Sequence, residues 1–334
     1  MKKNLFNKII ILILMLGIVF AILFLGQKNN TNSYSTIWSF QSIDTMKYSR
    51  DLSRQKLNDQ SFNTVIDTQI KNIAATGANY VAIDTPYDEE FFPILQKWVT
   101  AARKYNLKVW FRGNWSGWEG WFGYSGIDRQ THIAKTKDFI LKHKDIFENG
   151  DVFTACPECE NGGPGDPRVT GDIKGHRQFL IDEYLVTKKA FKQIGKNVAS
   201  NYDSMNGDVA TAVMNKATTK ALDGIVTIDH YVATPEQLAA KVHQIALQTG
   251  GKVVLGEFGA PIPDINGNMT EDQQAAWITQ ALKLLVNAPD VIGMNYWTNQ
   301  GSSTALWNDD GSARKAVSTI KNFYSTRLIR GTSQ

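Results

Sequence analysis

The chain has 334 residues, 43% of them hydrophobic and 20% charged, which is an ordinary globular composition and excludes extensive disorder. Its 36 basic and 32 acidic residues give a net charge of +4 and are spread without long runs of one sign, which argues against a nucleic-acid partner. The length is sufficient for one large domain or two small ones.

The N-terminus contains the first recognisable element. Residues 1–8 form a short basic segment, and residues 9–26 form an unbroken apolar run of 18 residues, which approaches the length that spans a bilayer. This run predicts a single transmembrane helix that anchors the protein, and a cleaved signal peptide is the alternative. Because the lysines precede the run, the positive-inside rule places the rest of the chain on the extracytoplasmic side of the cell membrane, or outside the cell if the segment is cleaved.

After a polar linker, residues 27–35, β-prone runs alternate with amphipathic helical stretches. The predicted strands are residues 36–43, 79–84, 108–113, 151–156, 197–202, 224–231, 252–258 and 291–297. Eight strand–helix units within residues 36–325 predict a (β/α)8 TIM barrel, followed by a tail, residues 326–334. A doubly wound open sheet is the alternative, and the lack of a Gly-x-Gly-x-x-Gly motif after the first strand disfavours it.

The residues that follow the predicted strands are the candidates for chemistry, since the strand ends of such a barrel face one pocket. Glu158 and Glu160 follow strand four, and Glu257 lies near the end of strand seven. Two carboxylates in one pocket suit glycosidic cleavage, in which one protonates the leaving oxygen and the other attacks the sugar. We expect a carbohydrate substrate, no metal and no cofactor.

Aromatic and polar side chains near the other strand ends suit sugar binding. The candidates for substrate contacts are Trp38, Arg112, Glu160, Asn161, Tyr202, His230, Tyr231 and Trp297. The Gly-rich segment 114–124 adds Trp115 and Trp118, which we interpret as part of a loop that presents aromatic surface. Burial in the barrel core is the alternative for Trp38, and packing among loop residues is the alternative for Trp115 and Trp118. His132, in a helical stretch, is interpreted as a surface residue.

Four segments resemble one known family. "FTACPECEN" (153–161), "DHY" (229–231), "VVLGEFG" (253–259) and "GMNYW" (293–297) are similar to the clan A glycoside hydrolases, (β/α)8 retaining enzymes that include cellulases and β-mannanases. The resemblance implies that Glu257 is the nucleophile and that a strand-four glutamate is the general acid/base. It also implies that His230 and Tyr231 lie near the nucleophile and that Trp297 stacks under the sugar whose bond is cut.

The sequence departs from the family at strand four, because the family usually has Asn before the acid/base glutamate and Pro157 stands there instead. The acid/base is therefore Glu158, which we favour, or Glu160; the two have the same parity along an extended chain. The acid needs a raised pKa and Glu257 a low one, which burial and donors such as Arg112 would produce. A carboxyl separation of about 5 to 5.5 Å would give retention of configuration.

Cys156 and Cys159 have a C-x-x-C spacing, which outside the cytoplasm favours a local disulfide or two free thiols near the site. The predicted function is a membrane-anchored, monomeric, retaining glycoside hydrolase that cleaves β-linked poly- or oligosaccharide by double displacement. A non-catalytic carbohydrate-binding barrel is the alternative, with Pro157 as its main argument. A metal-dependent hydrolase is disfavoured, since the first strand lacks a His-x-His pair.

Overall fold

The structure, a computed structural model, describes residues 38–325. The predicted transmembrane segment 9–26, the basic segment 1–8, the linker 27–35 and the tail 326–334 lie outside the described residues. Among residues 38–325, no helix combines the length and the apolar composition needed to cross a membrane.

Parallel strands form one eight-stranded sheet in the described part of the chain. The strands are β1 Phe40–Asp44, β2 Tyr80–Ile83, β3 Lys108–Phe111, β4 Val152–Phe153, β5 Ser204–Asn206, β6 Ile225–Asp229, β7 Lys252–Phe258 and β8 Val291–Tyr296. Their order is β4-β3-β2-β1-β8-β7-β6-β5, and the two edges meet where Val152 forms a parallel bridge with Ala199. The sheet therefore closes on itself, and the predicted (β/α)8 barrel is confirmed.

Helices cover the outside of the barrel between successive strands. The longer ones in residues 38–325 are α1 Phe62–Ala74, α2 Phe92–Lys104, α3 Arg129–Lys142, α4 Ile173–Gln193, α5 Gly207–Val213, α6 Pro235–Thr249, α7 Glu271–Val286 and α8 Lys315–Ser325. Shorter helices are Met46–Ser49, Ser53–Lys56, Ser116–Glu119, Pro167–Thr170, Lys216–Ala221 and Pro263–Asn266. A capping box between Thr270 and Gln273 begins α7, and Gly250 ends α6 with a left-handed φ of 66°.

The predicted fifth strand is wrong in position. Residues 197–202 are not a strand; only Ala199 pairs with β4, and the strand that pairs with β6 is Ser204–Asn206. The reason is that the backbone of this stretch bonds to the β4 side, where the Phe153 N–H donates to the Ala199 carbonyl. Thr154 Oγ1 donates to the Tyr202 carbonyl at 2.8 Å, so the chain joins β4 first and β6 only after a bend.

The barrel interior has two layers. Its N-terminal half is filled by a cluster of buried apolar side chains, Phe40, Tyr80, Ala82, Trp110, Val152 and Val254. Because side chains alternate along a strand, positions two and four residues further on face the same interior. Those positions carry Asp44 on β1, Asp84 after β2 and Arg112 after β3, all buried. The fold thus places charged groups at the C-terminal ends of the strands.

Candidate active site

Arg112 lies at the centre of the C-terminal end of the barrel and is fully buried. Its Nη1 donates to Asp44 Oδ2 and to Glu257 Oε1, both at 2.9 Å. Its Nη2 donates to Ser204 Oγ and to Asp229 Oδ2, both at 3.0 Å. One guanidinium group therefore holds together side chains from β1, β5, β6 and β7.

Arg112 carries one positive charge, and several carboxyl groups lie around it. Asp84 Oδ1 is 3.8 Å from Arg112 Nη1, and neither Asp84 oxygen has a hydrogen-bond partner within residues 38–325. Burial raises the pKa of Asp84 and of Asp229 well above the usual range. Burial lowers the pKa of Arg112, but the Asp229 and Glu257 carboxylates outweigh it and raise that pKa well above its usual value. The excess of negative charge therefore favours protonation of these aspartates as the pH falls, while Arg112 stays charged.

Glu257 reaches the interior through an irregularity in β7. Gly256 already faces inward, because a Cβ there would lie 2.3 Å from Asp229 Oδ1. The pairing of β6 with β7 shifts at this point, so that Asp229 pairs with Glu257 and the next side chain also points inward. Glu257 Oε2 accepts a hydrogen bond from the Tyr231 hydroxyl at 2.7 Å, and Oε1 accepts from Arg112. Donors on both oxygens fix the orientation of the carboxylate.

Glu158 follows β4 and opens a short 3-10 turn. Its backbone adopts the left-handed region with φ 46°, and its N–H donates to the Ser204 carbonyl at 2.8 Å. Its Oε2 accepts from Asn161 Nδ2 at 3.0 Å. Burial raises the pKa of Glu158 to about 8, and the Glu257 and Glu160 carboxylates add to the shift. Glu158 therefore carries a proton at neutral pH.

Glu160 turns toward β5 instead. It is buried, and its Oε1 accepts from the Asn206 N–H at 2.7 Å. Burial raises the pKa of Glu160 to about 7, the Asn206 N–H lowers it, and the Asp229 and Asp166 carboxylates raise it further. The Glu257 carboxylate is the largest charge effect on the pKa of Glu158, whereas that on the pKa of Glu160 comes from Asp229.

Several other predicted residues meet at this end of the barrel. The backbone N–H of His230 donates to the backbone carbonyl of Glu257 at 2.9 Å, and the half-buried His230 ring packs on Gly207. The half-buried Trp297 ring lies edge-on to Tyr231, with 5.8 Å between ring centroids. Asn161 is exposed beside Glu158. These residues and Arg112 therefore lie at the end of the barrel that carries the two carboxyls.

Trp38 and Tyr202 are not brought to the site. Trp38 precedes β1 and is buried against Phe323 of α8, with ring centroids 5.1 Å apart. Tyr202 packs against Phe40 and Trp110 at centroid distances of 5.9 and 6.0 Å. Both lie on the N-terminal side of the barrel, where aromatic packing stabilises the core, so the structure gives no support to a role in substrate binding.

The expectation that Trp115 and Trp118 present aromatic surface is wrong, because both side chains are buried. Trp115 Nε1 donates to Thr136 Oγ1 of α3 at 2.9 Å. Trp118 stacks on Phe179 of α4 and donates from Nε1 to the Cys159 carbonyl at 3.1 Å. Each indole N–H finds a partner inside the protein, so the rings fill the space between the barrel and its helices.

Three aspartates of the site were not among the predicted residues. The signal was present in the sequence, because an Ile-Asp pair stands at the end of three predicted strands, at 43–44, 83–84 and 228–229. In each pair the isoleucine belongs to the core outside the sheet, and the aspartate faces the interior beside Arg112. The repeated pair marks the buried end of each strand.

A buried polar chain behind the site was also missed. His132 is fully buried on α3, so its interpretation as a surface residue is wrong. Its Nδ1 contacts Glu183 of α4, and its Nε2 donates to Asn114 Oδ1 at 2.9 Å. Asn114 Nδ2 in turn donates to Glu119 Oε1 at 2.6 Å. Burial raises the pKa of Glu119 to about 7, so a further carboxyl in this region holds a proton near neutrality.

Cys156 and Cys159 are joined by a disulfide, with their Cα atoms 5.2 Å apart. Both residues are buried at the end of β4. Of the two alternatives that the spacing left open, the structure therefore contains the local disulfide.

Comparison with known proteins rests on structure, since no protein-family model and no curated protein matches the sequence. The β-glycosidase BGL167 is 14% identical over 90% of this chain and 98% of that one, with a TM-score of 0.56. A GH5_18 protein from Streptomyces cattleya, in complex with Manβ1-4GlcNAc, is 12% identical over 88% of this chain and 82% of its own, with a TM-score of 0.63. This chain has the fold of the (β/α)8 glycosidases.

A β-glucuronidase from Ruminococcus gnavus has the same fold within a longer chain. It is 12% identical over 78% of this chain but only 47% of its own length, with a TM-score of 0.51. This chain therefore spans about half of that protein. The resemblance to clan A glycoside hydrolases is confirmed at the level of the fold.

Proposed function

We propose that this protein is an extracytoplasmic, membrane-anchored, retaining glycoside hydrolase that cleaves β-linked poly- or oligosaccharides. One observation carries the proposal: the carboxyl of Glu158, which follows β4, and the carboxyl of Glu257, which lies in β7, have opposite environments. Glu257 accepts hydrogen bonds from Arg112 and Tyr231, whereas burial raises the pKa of Glu158 to about 8. A pair of acids with such different environments suits acid and nucleophile roles. The similar solved structures, which are glycosidases by name, support the same reaction class.

In the first step, Glu158 gives its proton to the glycosidic oxygen as the bond to the anomeric carbon breaks. The Glu257 carboxylate attacks that carbon from the opposite face and forms a covalent glycosyl-enzyme. Arg112 and Tyr231 hold the attacking carboxylate in one orientation, so little rearrangement is needed in the transition state.

In the second step, Glu158 is ionised and accepts a proton from the water that attacks the glycosyl-enzyme. Glu257 leaves as a carboxylate, and two inversions give net retention at the anomeric carbon. Glu158 thereby regains the proton that the next cycle needs. Because only the protonated form starts a cycle, activity falls as the pH rises above the pKa of about 8.

The substrate contacts follow from the residues around the two carboxyls. Trp297 is half-buried beside Tyr231 and offers a flat ring to the sugar whose bond is cut. Pro157 has no side-chain donor, and the exposed Asn161, whose amide already reaches Glu158, offers one nearby. We assign Trp297, Asn161 and His230 to substrate binding on these grounds.

The cellular location rests on the N-terminal sequence. The apolar run 9–26, preceded by lysines, anchors the chain with the barrel outside the cytoplasm. The Cys156–Cys159 disulfide suits that side, because disulfides persist in oxidising compartments. Protease added to intact cells should degrade the barrel; full protection of the barrel would contradict this location.

The proposed activity is tested with the full-length chain in detergent micelles. The wild type, Glu257→Gln and Glu158→Gln are each given β-glucans, β-mannans, xylans and aryl β-glycosides, and released sugar is measured. We expect hydrolysis of at least one substrate by the wild type and loss of it in both variants. A wild type that binds glycans but hydrolyses none of them would favour the non-catalytic carbohydrate-binding barrel.

A further inference from the structure

The backbone around Glu158 forms a closed ring. The disulfide joins Cys156 to Cys159, and the chain between them consists of Pro157 and Glu158 alone. Both cysteines are buried, so the ring is fixed in the core at the end of β4. Pro157 has a restricted φ, and closure of so short a ring removes most of the remaining conformations of the two enclosed residues.

The ring holds Glu158 in a conformation that a free chain would rarely adopt. Its φ of 46° lies in the left-handed region, which non-glycine residues occupy only where the surroundings enforce it. Two backbone hydrogen bonds act with the ring, from the Glu158 N–H to the Ser204 carbonyl and from the Asn161 N–H to the Glu158 carbonyl, both at 2.8 Å. The direction of the Glu158 side chain follows from this backbone.

Trp118 clamps the same segment from outside. Its Nε1 donates to the Cys159 carbonyl at 3.1 Å, and its own carbonyl accepts from the Gly163 N–H at 2.9 Å. The indole lies so close to the chain that a Cβ at Gly163 would be 2.4 Å from Trp118 Cη2, and a Cβ at Gly162 would be 2.3 Å from the Trp118 carbonyl oxygen. The buried tryptophan therefore fixes the chain on the far side of the disulfide.

We propose that the Cys156–Cys159 disulfide, with Trp118, positions the carboxyl of Glu158, so that acid catalysis depends on the oxidised state of this pair. This inference rests on the proposed function, in which Glu158 is the general acid/base. Dithiothreitol breaks the S–S bond by supplying two electrons and two protons, which leaves two thiols and converts dithiothreitol to its cyclic disulfide. Glu158 then leaves the left-handed conformation and no longer reaches the leaving oxygen.

The nucleophile should be indifferent to the same reduction. Glu257 is held by Arg112 after β3 and by Tyr231 after β6, and the hydrogen bonds that hold it do not pass through the disulfide ring. Reduction should therefore remove proton donation while attack by Glu257 persists. That difference separates a positioning role of the disulfide from a general loss of structure.

The experiment compares two aryl β-glycosides of whichever sugar the full-length chain hydrolyses. Phenolate is a poor leaving group that needs a proton, whereas 2,4-dinitrophenolate leaves without one. After reduction, kcat/KM for the phenyl glycoside should fall about 100-fold, the usual size of a general-acid contribution, and that for the dinitrophenyl glycoside less than about threefold. Air oxidation should restore both. The variant Cys156→Ser/Cys159→Ser should behave as the reduced wild type.

Two tryptophan variants extend the test without altering the cysteines. Trp118→Phe removes the hydrogen bond to Cys159 and should show the same selective loss for the phenyl glycoside, at about tenfold. Trp115→Phe is the matched control, because the Trp115 indole donates its hydrogen bond to Thr136 and not to the ring. It should leave the ratio of the kcat/KM values for the two glycosides unchanged. Near-ultraviolet circular dichroism of each form reports whether the barrel remains folded.

The outcomes separate the two levels of the proposal. A wild type that hydrolyses none of the β-glucans, β-mannans, xylans and aryl β-glycosides contradicts the proposed function itself. An active wild type that carries two alkylatable thiols as purified, or whose two substrates are slowed equally while the fold persists, overturns the role of the disulfide and leaves the glycosidase activity standing. If the double cysteine variant fails to fold, two measurements still decide whether the disulfide positions Glu158. They are the reversible reduction of the wild type and the ratio of the kcat/KM values for the two glycosides in Trp118→Phe.

Discussion

The two halves of the barrel interior have opposite chemistry although the same strands build them. In the N-terminal half, Phe40 packs against Tyr80 and Trp110 with ring centroids 4.4 and 4.6 Å apart. A few residues further along those strands, Asp44 and Arg112 form a buried ion pair at 2.9 Å. Apolar packing stabilises a fold, whereas buried charges cost desolvation energy that their pairing only partly offsets. The first layer stabilises the barrel, and under the proposed function the second holds the reacting carboxyls at some cost in stability.

The boundary between the layers runs through β3. Trp110 belongs to the apolar cluster and also donates from Nε1 to Thr154 Oγ1 at 2.8 Å. The Arg112 guanidinium lies 5.2 Å from the Trp110 ring centroid, so the cation rests on the aromatic layer. The aromatic side chains therefore support the charged group from which the site is organised.

The largest expected effect is a contrast between the two layers. A variant in the charged layer should lose activity, and a variant in the apolar layer should lose stability. Glu257→Gln should lower kcat by at least about 10³-fold, because the nucleophile is lost. Its free energy of unfolding should change little, since Gln keeps an acceptor for Arg112 and relieves the excess of negative charge. Phe40→Ala should do the reverse and cost about 3 to 5 kcal/mol of stability through a cavity in the apolar layer. Urea unfolding and hydrolysis rates measure both. Equal loss of stability in the two variants would contradict the division.

Removing the cation of the charged layer should be the next largest effect. Arg112→Gln leaves Asp44, Asp229 and Glu257 without their shared partner and should cost about 3 to 5 kcal/mol at pH 7.5. The loss should be smaller at pH 5, where the raised pKa of Asp229 lets it take up a proton. Lys315→Gln, at an exposed pair with Asp272, is the control and should cost less than about 1 kcal/mol at either pH. A loss for Arg112→Gln that does not depend on pH would contradict the account.

The charged layer should also make the protein less stable as pH rises. Burial raises the pKa of Glu160 from an ordinary 4.5 to about 7 in the folded state, so the folded state holds this proton more tightly than the unfolded chain. This contribution is fully present below pH 4.5 and is lost as pH rises to 7, by at most about 3 kcal/mol. Urea unfolding from pH 5 to 8 should show the decline, and Glu160→Gln should make it shallower. An unchanged slope in that variant would refute the assignment.

The smallest effect concerns the tryptophans that the sequence suggested were exposed. Trp115→Phe removes the hydrogen bond to Thr136 and should cost about 1 kcal/mol of stability. KM should stay within about twofold of the wild-type value, because a buried ring does not contact the substrate and therefore does not contribute to its binding. A tenfold rise in KM at unchanged stability would restore the interpretation of this segment as aromatic surface.

The alternation of strands and helices was sufficient to predict the barrel, and the strand ends were sufficient to bring Arg112, Tyr231 and Glu257 together. The features that the sequence did not predict correctly depend on contacts between distant segments of the chain. Trp115 and Trp118 sit in a Gly-rich segment with no local sign of burial, and only the packing of α3 and α4 decides it. The inward turn of Glu257 needs the irregularity at Gly256, which strict alternation does not predict.

The fifth strand failed for a related reason. Its three residues, Ser204–Asn206, are too few for a periodic pattern, and the preceding β-prone run pairs with a different neighbour. The buried aspartates, by contrast, were readable, because the repeated Ile-Asp pairs mark three strand ends at one level of the barrel.

The central claim is that Glu158 and Glu257 act as acid/base and nucleophile on opposite faces of one sugar. Azide rescue tests it most directly, with Glu158→Ala and Glu257→Ala given a dinitrophenyl β-glycoside and the product identified by NMR. Azide should attack the glycosyl-enzyme of Glu158→Ala to give the β-glycosyl azide, and should replace the missing nucleophile of Glu257→Ala to give the α-glycosyl azide. The same anomer from both variants, or rescue of Glu160→Ala in place of Glu158→Ala, would contradict the assignment.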